Sequence, residues 1–94
     1  MPFLARALGH ADAEVIKAAL LALGEQGPAA ELAIASVLDH ARWDVRSGAV
    51  KALARALGPQ ATSRLEERLA CEADPSVREA IASSLGEPRG ERPS

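Results

Sequence analysis

Val15, Ala19 and Leu23 return as Val45, Ala49 and Leu53 after 30 residues, and as Val77, Ile81 and Leu85 after a further 32. The turns keep the same beat. Leu8-Gly9-His10-Ala11 returns as Leu38-Asp39-His40-Ala41, and Gly27-Pro28 returns as Gly58-Pro59 at a shift of 31. A period of this length is one supersecondary unit stacked on copies of itself. Stacked units bury the faces they share and leave a long surface free, so the repeat points to binding of another macromolecule and leaves that partner unnamed.

The apolar spacing predicts the unit. Val15, Ala19, Leu20 and Leu23 follow one helical face, and Val45, Ala49, Val50 and Leu53 repeat it. The third copy, Val77, Ile81, Ala82 and Leu85, is preceded by Asp74-Pro75, a capping acceptor followed by a residue with its φ preset for a first turn. Between these type A helices, Gly27-Pro28 and Gly58-Pro59 open type B segments whose Ile34 and Leu38 match Leu65 and Leu69. Gly closes one helix in a left-handed conformation and Pro restarts the next. Leu4 and Leu8 match Ile34 and Leu38, so the chain is expected to open inside a B helix that begins before Met1. The expected fold is all-α: a short right-handed α-solenoid of about six helices in three layers, over residues 1–86. Residues 87–94, polar and rich in Pro and Gly, read as a disordered tail.

Only 2% of residues are aromatic although 48% are hydrophobic, so the core must be built from Ala, Leu, Val and Ile. A net charge of −2 argues against nucleic acid, which calls for clustered Lys and Arg. Cys71 is the single cysteine, which excludes an internal disulfide and makes the cytoplasm the expected location. No apolar run approaches the length of a membrane span, and no membrane partner is expected.

Candidate chemistry is sparse. His10 and His40 share a repeat position and are expected to cap the last carbonyls of B helices rather than hold a metal. Cys71 reads as an inert small hydrophobe, and no phosphate loop or nucleophile motif is present, so no enzymatic activity and no cofactor are expected. Arg64, Glu66, Glu67 and Arg68 read as a solvated face; Arg46 and Arg78 read as ties between layers. Trp43 stands where its sibling units carry Ala13 and Pro75 and is not needed by the core pattern. Two arrangements fit it: exposed as a binding anchor, or folded over the junction onto Ala13 or His10. Phe3, Leu4 and Leu8 have no preceding unit to cover them, so self-association through the N-terminal end is expected.

Trp43-Asp44-Val45-Arg46-Ser47-Gly48-Ala49-Val50-Lys51-Ala52-Leu53 and Asp74-Pro75-Ser76-Val77-Arg78-Glu79-Ala80-Ile81-Ala82-Ser83-Ser84-Leu85-Gly86 resemble the HEAT-like repeat of the phycobilisome-lyase type, with its motif D-P-x-V-R-x-x-A-x-x-A-L-G. The first copy departs in carrying Ile16 for the arginine, and the second in carrying Arg42 for the aspartate. The resemblance implies that positions flanking the V-R pair line a concave A-helix face. On this chain these include Glu14, Lys17 and Leu21, then Trp43, Asp44, Ser47 and Lys51, then Ser76 and Glu79. The expected function is a non-catalytic scaffold that binds a partner protein on that face. The alternative that the family name implies is an accessory subunit of a bilin lyase or isomerase, handling a chromophore or the protein that bears it. Recognition of alkylated DNA by such a scaffold would need a basic surface that the charge balance does not offer.

Overall fold

The computed structural model describes residues 12–86. They form α1 (Ala13–Gly24), a 3-10 turn (Gly27–Ala30), α2 (Glu31–Ala35), α3 (Trp43–Leu57), a second 3-10 turn (Gly58–Ala61), α4 (Thr62–Cys71) and α5 (Pro75–Ser84), with no strand among the described residues. The first of the six expected helices, the N-terminal contact through Phe3 and the tail 87–94 lie outside the described residues.

Local chemistry accounts for where the helices begin. Asp12 accepts from the Glu14 N–H at 2.9 Å and so caps α1. Asp74 accepts from the Ser76 and Val77 N–H groups at 2.8 and 3.2 Å, satisfying two free donors at the start of α5. Arg42 gives α3 no such cap, and the Nδ1 of His40 instead accepts from the Arg42 N–H at 3.0 Å. The histidine thus serves the incoming A helix as an acceptor, which corrects the expectation that it donates to the carbonyls of the B helix before it.

Gly27 and Gly58 have φ of 80° and 59°, a left-handed conformation that side chains resist. The proline after each enters a 3-10 turn rather than an α-helix directly. Type B helix α2 is only five residues long. Ser36 Oγ donates to the Ala33 carbonyl at 2.7 Å, and Val37 and Leu38 then bond three residues back, to Ile34 and Ala35, so the chain tightens as soon as the hydroxyl competes for the ladder. Leu38 is buried from this turn rather than from the helix.

The A helices α1, α3 and α5 pack in sequence, with α3 central and α2 and α4 behind them. Ile34, Val45, Val50, Leu53, Leu65, Val77 and Ile81 are wholly enclosed. Four residues of the expected core pattern differ: Leu69, Ala82 and Leu85, toward the C-terminal end, are half-buried, and so is one residue of α1. Val15 is half-buried, and Ile16 is 1% exposed in its place, giving α1 the face Ile16, Ala19, Leu20 and Leu23. An apolar residue at the arginine position moves the buried face by one residue. Helices α1 and α3 approach closely at Gly24, where a Cβ would lie 3.3 Å from the Ala52 Cα and carbonyl oxygen.

Candidate functional site

The exposed surface of α1 and α3 is held by a chain of charges. Lys17 Nζ lies 3.1 Å from Asp44 Oδ2 across the layer boundary and 3.2 Å from Glu14 Oε2 on its own helix. Arg42 donates to both Asp44 oxygens, at 3.0 and 2.9 Å. The hydrogen bonds from Arg42 and then Lys17 hold the Asp44 carboxyl well below the ordinary carboxylate range, and the same contacts raise Lys17 and Arg42. The sequence-predicted residues Glu14, Lys17 and Asp44 are therefore in one network. Arg42, a departure from the repeat motif, is its fourth member. A side chain that cannot cap α3 turns instead onto the carboxylate two residues on.

Beside this network, α1 and α3 enclose a groove of about 350 Å³ lined by Lys17, Leu20, Leu21, Gly48, Lys51, Ala52 and Arg55. Its lining is apolar with three cations and no carboxylate. Gly48 keeps the floor open, since a Cβ there would meet Leu20 Cδ1 at 3.4 Å and Lys17 Cγ at 3.8 Å. Leu21 is 71% exposed at its edge. Lys17, Leu21 and Lys51 were expected on this face. Arg55, bonded to Glu25 at 3.3 Å, was not, because it lies one helical turn past the predicted positions.

Trp43 opens α3, is 52% exposed, and does not line the groove. Of its two expected arrangements the structure has the exposed one. Ser47 is half-buried, and Ser76 and Glu79 are exposed at the start of α5, apart from the groove lining.

The opposite side of the stack, expected to be a solvated face, carries ties between units. Arg64 bonds Glu31 at 3.0 Å, and Arg68 bonds Asp39 at 2.6 Å. Both pairs join α4 to the preceding unit, so this stretch divides: its arginines bind neighbours and its glutamates Glu66 and Glu67 are exposed. Cys71 is exposed rather than tucked into the core, with Sγ 3.6 Å from the Glu67 carbonyl oxygen.

Arg46 joins layers as expected, through a partner not anticipated. Its Nε and Nη2 donate to the two oxygens of Glu72 at 3.1 and 3.0 Å, while its Nη1 donates to the His40 and Ala41 carbonyls at 2.7 and 3.1 Å. Arg68 also donates to Glu72, at 3.1 and 3.2 Å, and the Asp74 N–H does so at 3.0 Å. Glu72 is the one buried charged residue among the described residues. Burial pushes its carboxyl upward, but the bonds from Arg46 and the Asp74 N–H, with the charges of Arg46 and Arg68, outweigh that and leave it below the usual glutamate value. The register signal was available: Glu72 stands 32 residues after His40, and each accepts the N–H two residues on.

No helix of the described residues is long and apolar enough to cross a membrane. No curated protein and no solved structure matches the chain. A family model described as HEAT repeats matches residues 1–89; the match does not extend to the narrower phycobilisome-lyase type. With A helices recurring after 30 and then 32 residues and packed in sequence, and with this match over most of its length, the chain belongs to the HEAT repeat family.

Proposed function

We propose that the chain is a non-catalytic binding module that holds a partner protein on the outer surface of α1, α3 and α5. HEAT repeats generally mediate protein–protein interaction, and the observation that carries the reading here is the α1–α3 groove. It is apolar and open, with Leu21 at its edge, and the helix α3 that forms one wall also carries Trp43; these are two of the three large hydrophobic residues that are exposed among the described residues. Large exposed apolar side chains beside a concave surface are what partner anchors occupy. Trp43 acts as the anchor; Glu14, Lys17, Leu21, Asp44, Ser47, Lys51, Ser76 and Glu79 supply the polar and apolar surround. The module uses no cofactor and works in the cytoplasm.

The test is a photo-crosslinking residue at Lys51, on the groove, and at Arg64, on the opposite side, in the full chain. The partner is expected to crosslink at the first position and not the second. Trp43→Ala and Leu21→Ala are then compared with the wild type against that partner. Loss of an anchor is expected to cost about 2 kcal/mol or more, roughly thirty-fold in affinity. Crosslinking from Arg64 alone, or unchanged affinity in both variants, would remove the function from this surface.

A further inference from the structure

Arg46 and Arg78 occupy the same repeat position, and their Nη1 groups do the same thing. Arg46 Nη1 donates to the carbonyl six residues back, at His40, and to Ala41; Arg78 Nη1 donates to the carbonyl six residues back, at Glu72, at 3.0 Å, and to Leu69 at 2.8 Å. One edge of each guanidinium is thereby fixed to the turn in front of its helix. The other edge differs. On Arg46, Nε and Nη2 hold the Glu72 carboxylate of the next layer by two parallel bonds. On Arg78, Nε and Nη2 have no partner among the described residues, and the side chain is exposed.

The described residues therefore contain the same receptor twice, filled at Arg46 and without a carboxylate among those residues at Arg78. Arginine's planar fork matches a carboxylate with two bonds, and a fork already held by backbone carbonyls loses less freedom when the carboxylate arrives. The surrounding surface follows the same register. Lys17, Leu20 and Gly24 are the α1 residues turned toward α3, where they meet Asp44, Gly48 and Ala52. Their repeat equivalents on α5 and just beyond are Glu79, Ala82 and Gly86. The last two are small, and Glu79 is exposed where Lys17 reaches its partner.

We infer that the outer edge of α5 is a docking surface for a helical hairpin of another protein, which presents a glutamate to Arg78 as Glu72 is presented to Arg46. Arg78 lies outside the α1–α3 groove, and the inference shares only Glu79 with the function proposed above, so substitutions at Arg78 test it alone. Charge also specifies the partner's next contact. Glu79 replaces Lys17, so the residue that meets it is basic and lies four positions after the glutamate, as Asp44 follows His40 and Ser76 follows Glu72. A second copy of this chain does not fit that description. By register it would bring His10 to Arg78 and Glu14 to Glu79, with no carboxylate for the arginine and two carboxylates opposed.

The test uses the full chain and a rewritten copy of it as the probe. The probe carries His10→Glu and Glu14→Lys to supply the specified charges, and Arg78→Gln so that it cannot assemble with itself. Mixed with wild type and followed by sedimentation velocity, it is expected to form a one-to-one complex. Arg78→Gln in the target should weaken that complex at least tenfold. Arg78→Lys, which keeps the charge and loses the fork, should weaken it too, with both targets checked for unchanged folding by circular dichroism. No complex, or a complex indifferent to both substitutions, would overturn the inference. So would Arg78-dependent self-association of the wild type alone, which would make a second copy the occupant.

Discussion

Arg46 and Glu72, 26 residues apart, are joined by two parallel hydrogen bonds that fasten α3 to the turn in front of α5. The glutamate side chain is 2% exposed and the arginine 16%, so the pair is largely shielded from water. Arg46→Ala is expected to leave a buried carboxylate with Arg68 and one backbone N–H as its remaining donors. The loss should be about 2–3 kcal/mol, below the full cost of stranding a buried charge because Arg68 stays. Thermal unfolding should move down by roughly 8 °C or more. Arg46→Lys should recover little of this, because an ammonium cannot satisfy both oxygens and the two carbonyls in one plane.

Stability should fall in acid for a reason that can be assigned. The folded Glu72 carboxyl lies below its ordinary value of 4.5, so the unfolded chain takes up a proton first and falling pH favours unfolding. The contribution is complete well above pH 4.5 and is lost as pH falls through that value and then through the lower folded one. Asp44, lowered from 3.8, acts in the same direction at still lower pH. A melting-temperature profile from pH 7 to 3 should show this decline, and Glu72→Gln should flatten its upper part while lowering the plateau. A Glu72→Gln profile as steep as the wild type would assign the acid sensitivity elsewhere.

Two glycines on facing helices should respond oppositely to alanine. At Gly24 the added methyl meets Ala52 backbone at 3.3 Å, and backbone cannot move aside cheaply. Strain there is expected to exceed the helix-propensity gain, for a net loss of about 1 kcal/mol. At Gly48 the nearest atom is the end of the Leu20 side chain at 3.4 Å, so Gly48→Ala should stabilise by about 0.5–1 kcal/mol. Because Gly48 floors the groove, the same substitution should weaken partner binding even as it raises the melting temperature. Equal signs at the two positions in denaturant titrations would contradict the packing described.

Trp43 provides its own reporter, as the only tryptophan. At 52% exposure its emission should resemble that of indole in water and be readily quenched by acrylamide. Trp43→Ala should change unfolding free energy by no more than about 0.5 kcal/mol, as expected of an exposed surface side chain. Partner binding should shift the emission to the blue and protect it from quencher. Blue emission from the free protein would mean that the ring is packed.

The parts of the fold written in short-range signals were legible in the chain. The apolar faces marked the A helices, Asp74 marked the start of the third, and Gly-Pro marked the turns into the B helices. What escaped was set by relations between layers. Ile16 is buried because it replaces an arginine that elsewhere reaches outward, and that substitution moved the core from the Val15 position. Arg42 looked like a lost cap, and only its proximity to Asp44 and Lys17 made it part of the exposed network. Glu72 was not singled out by any short-range pattern, and its burial goes with arginines on two separate helices converging on it.

Ile16 and Arg46 share a repeat position, yet one is an enclosed hydrocarbon and the other a shielded ion pair. The two junctions that α3 makes, with α1 and with the turn before α5, are thus held by different physics. Protons act on the carboxylate that Arg46 holds and have nothing to act on at Ile16. In mild acid the protein has a preferred direction of fraying, with amide exchange quickening through α4 and α5 while α1 and the facing turns of α3 keep their protection.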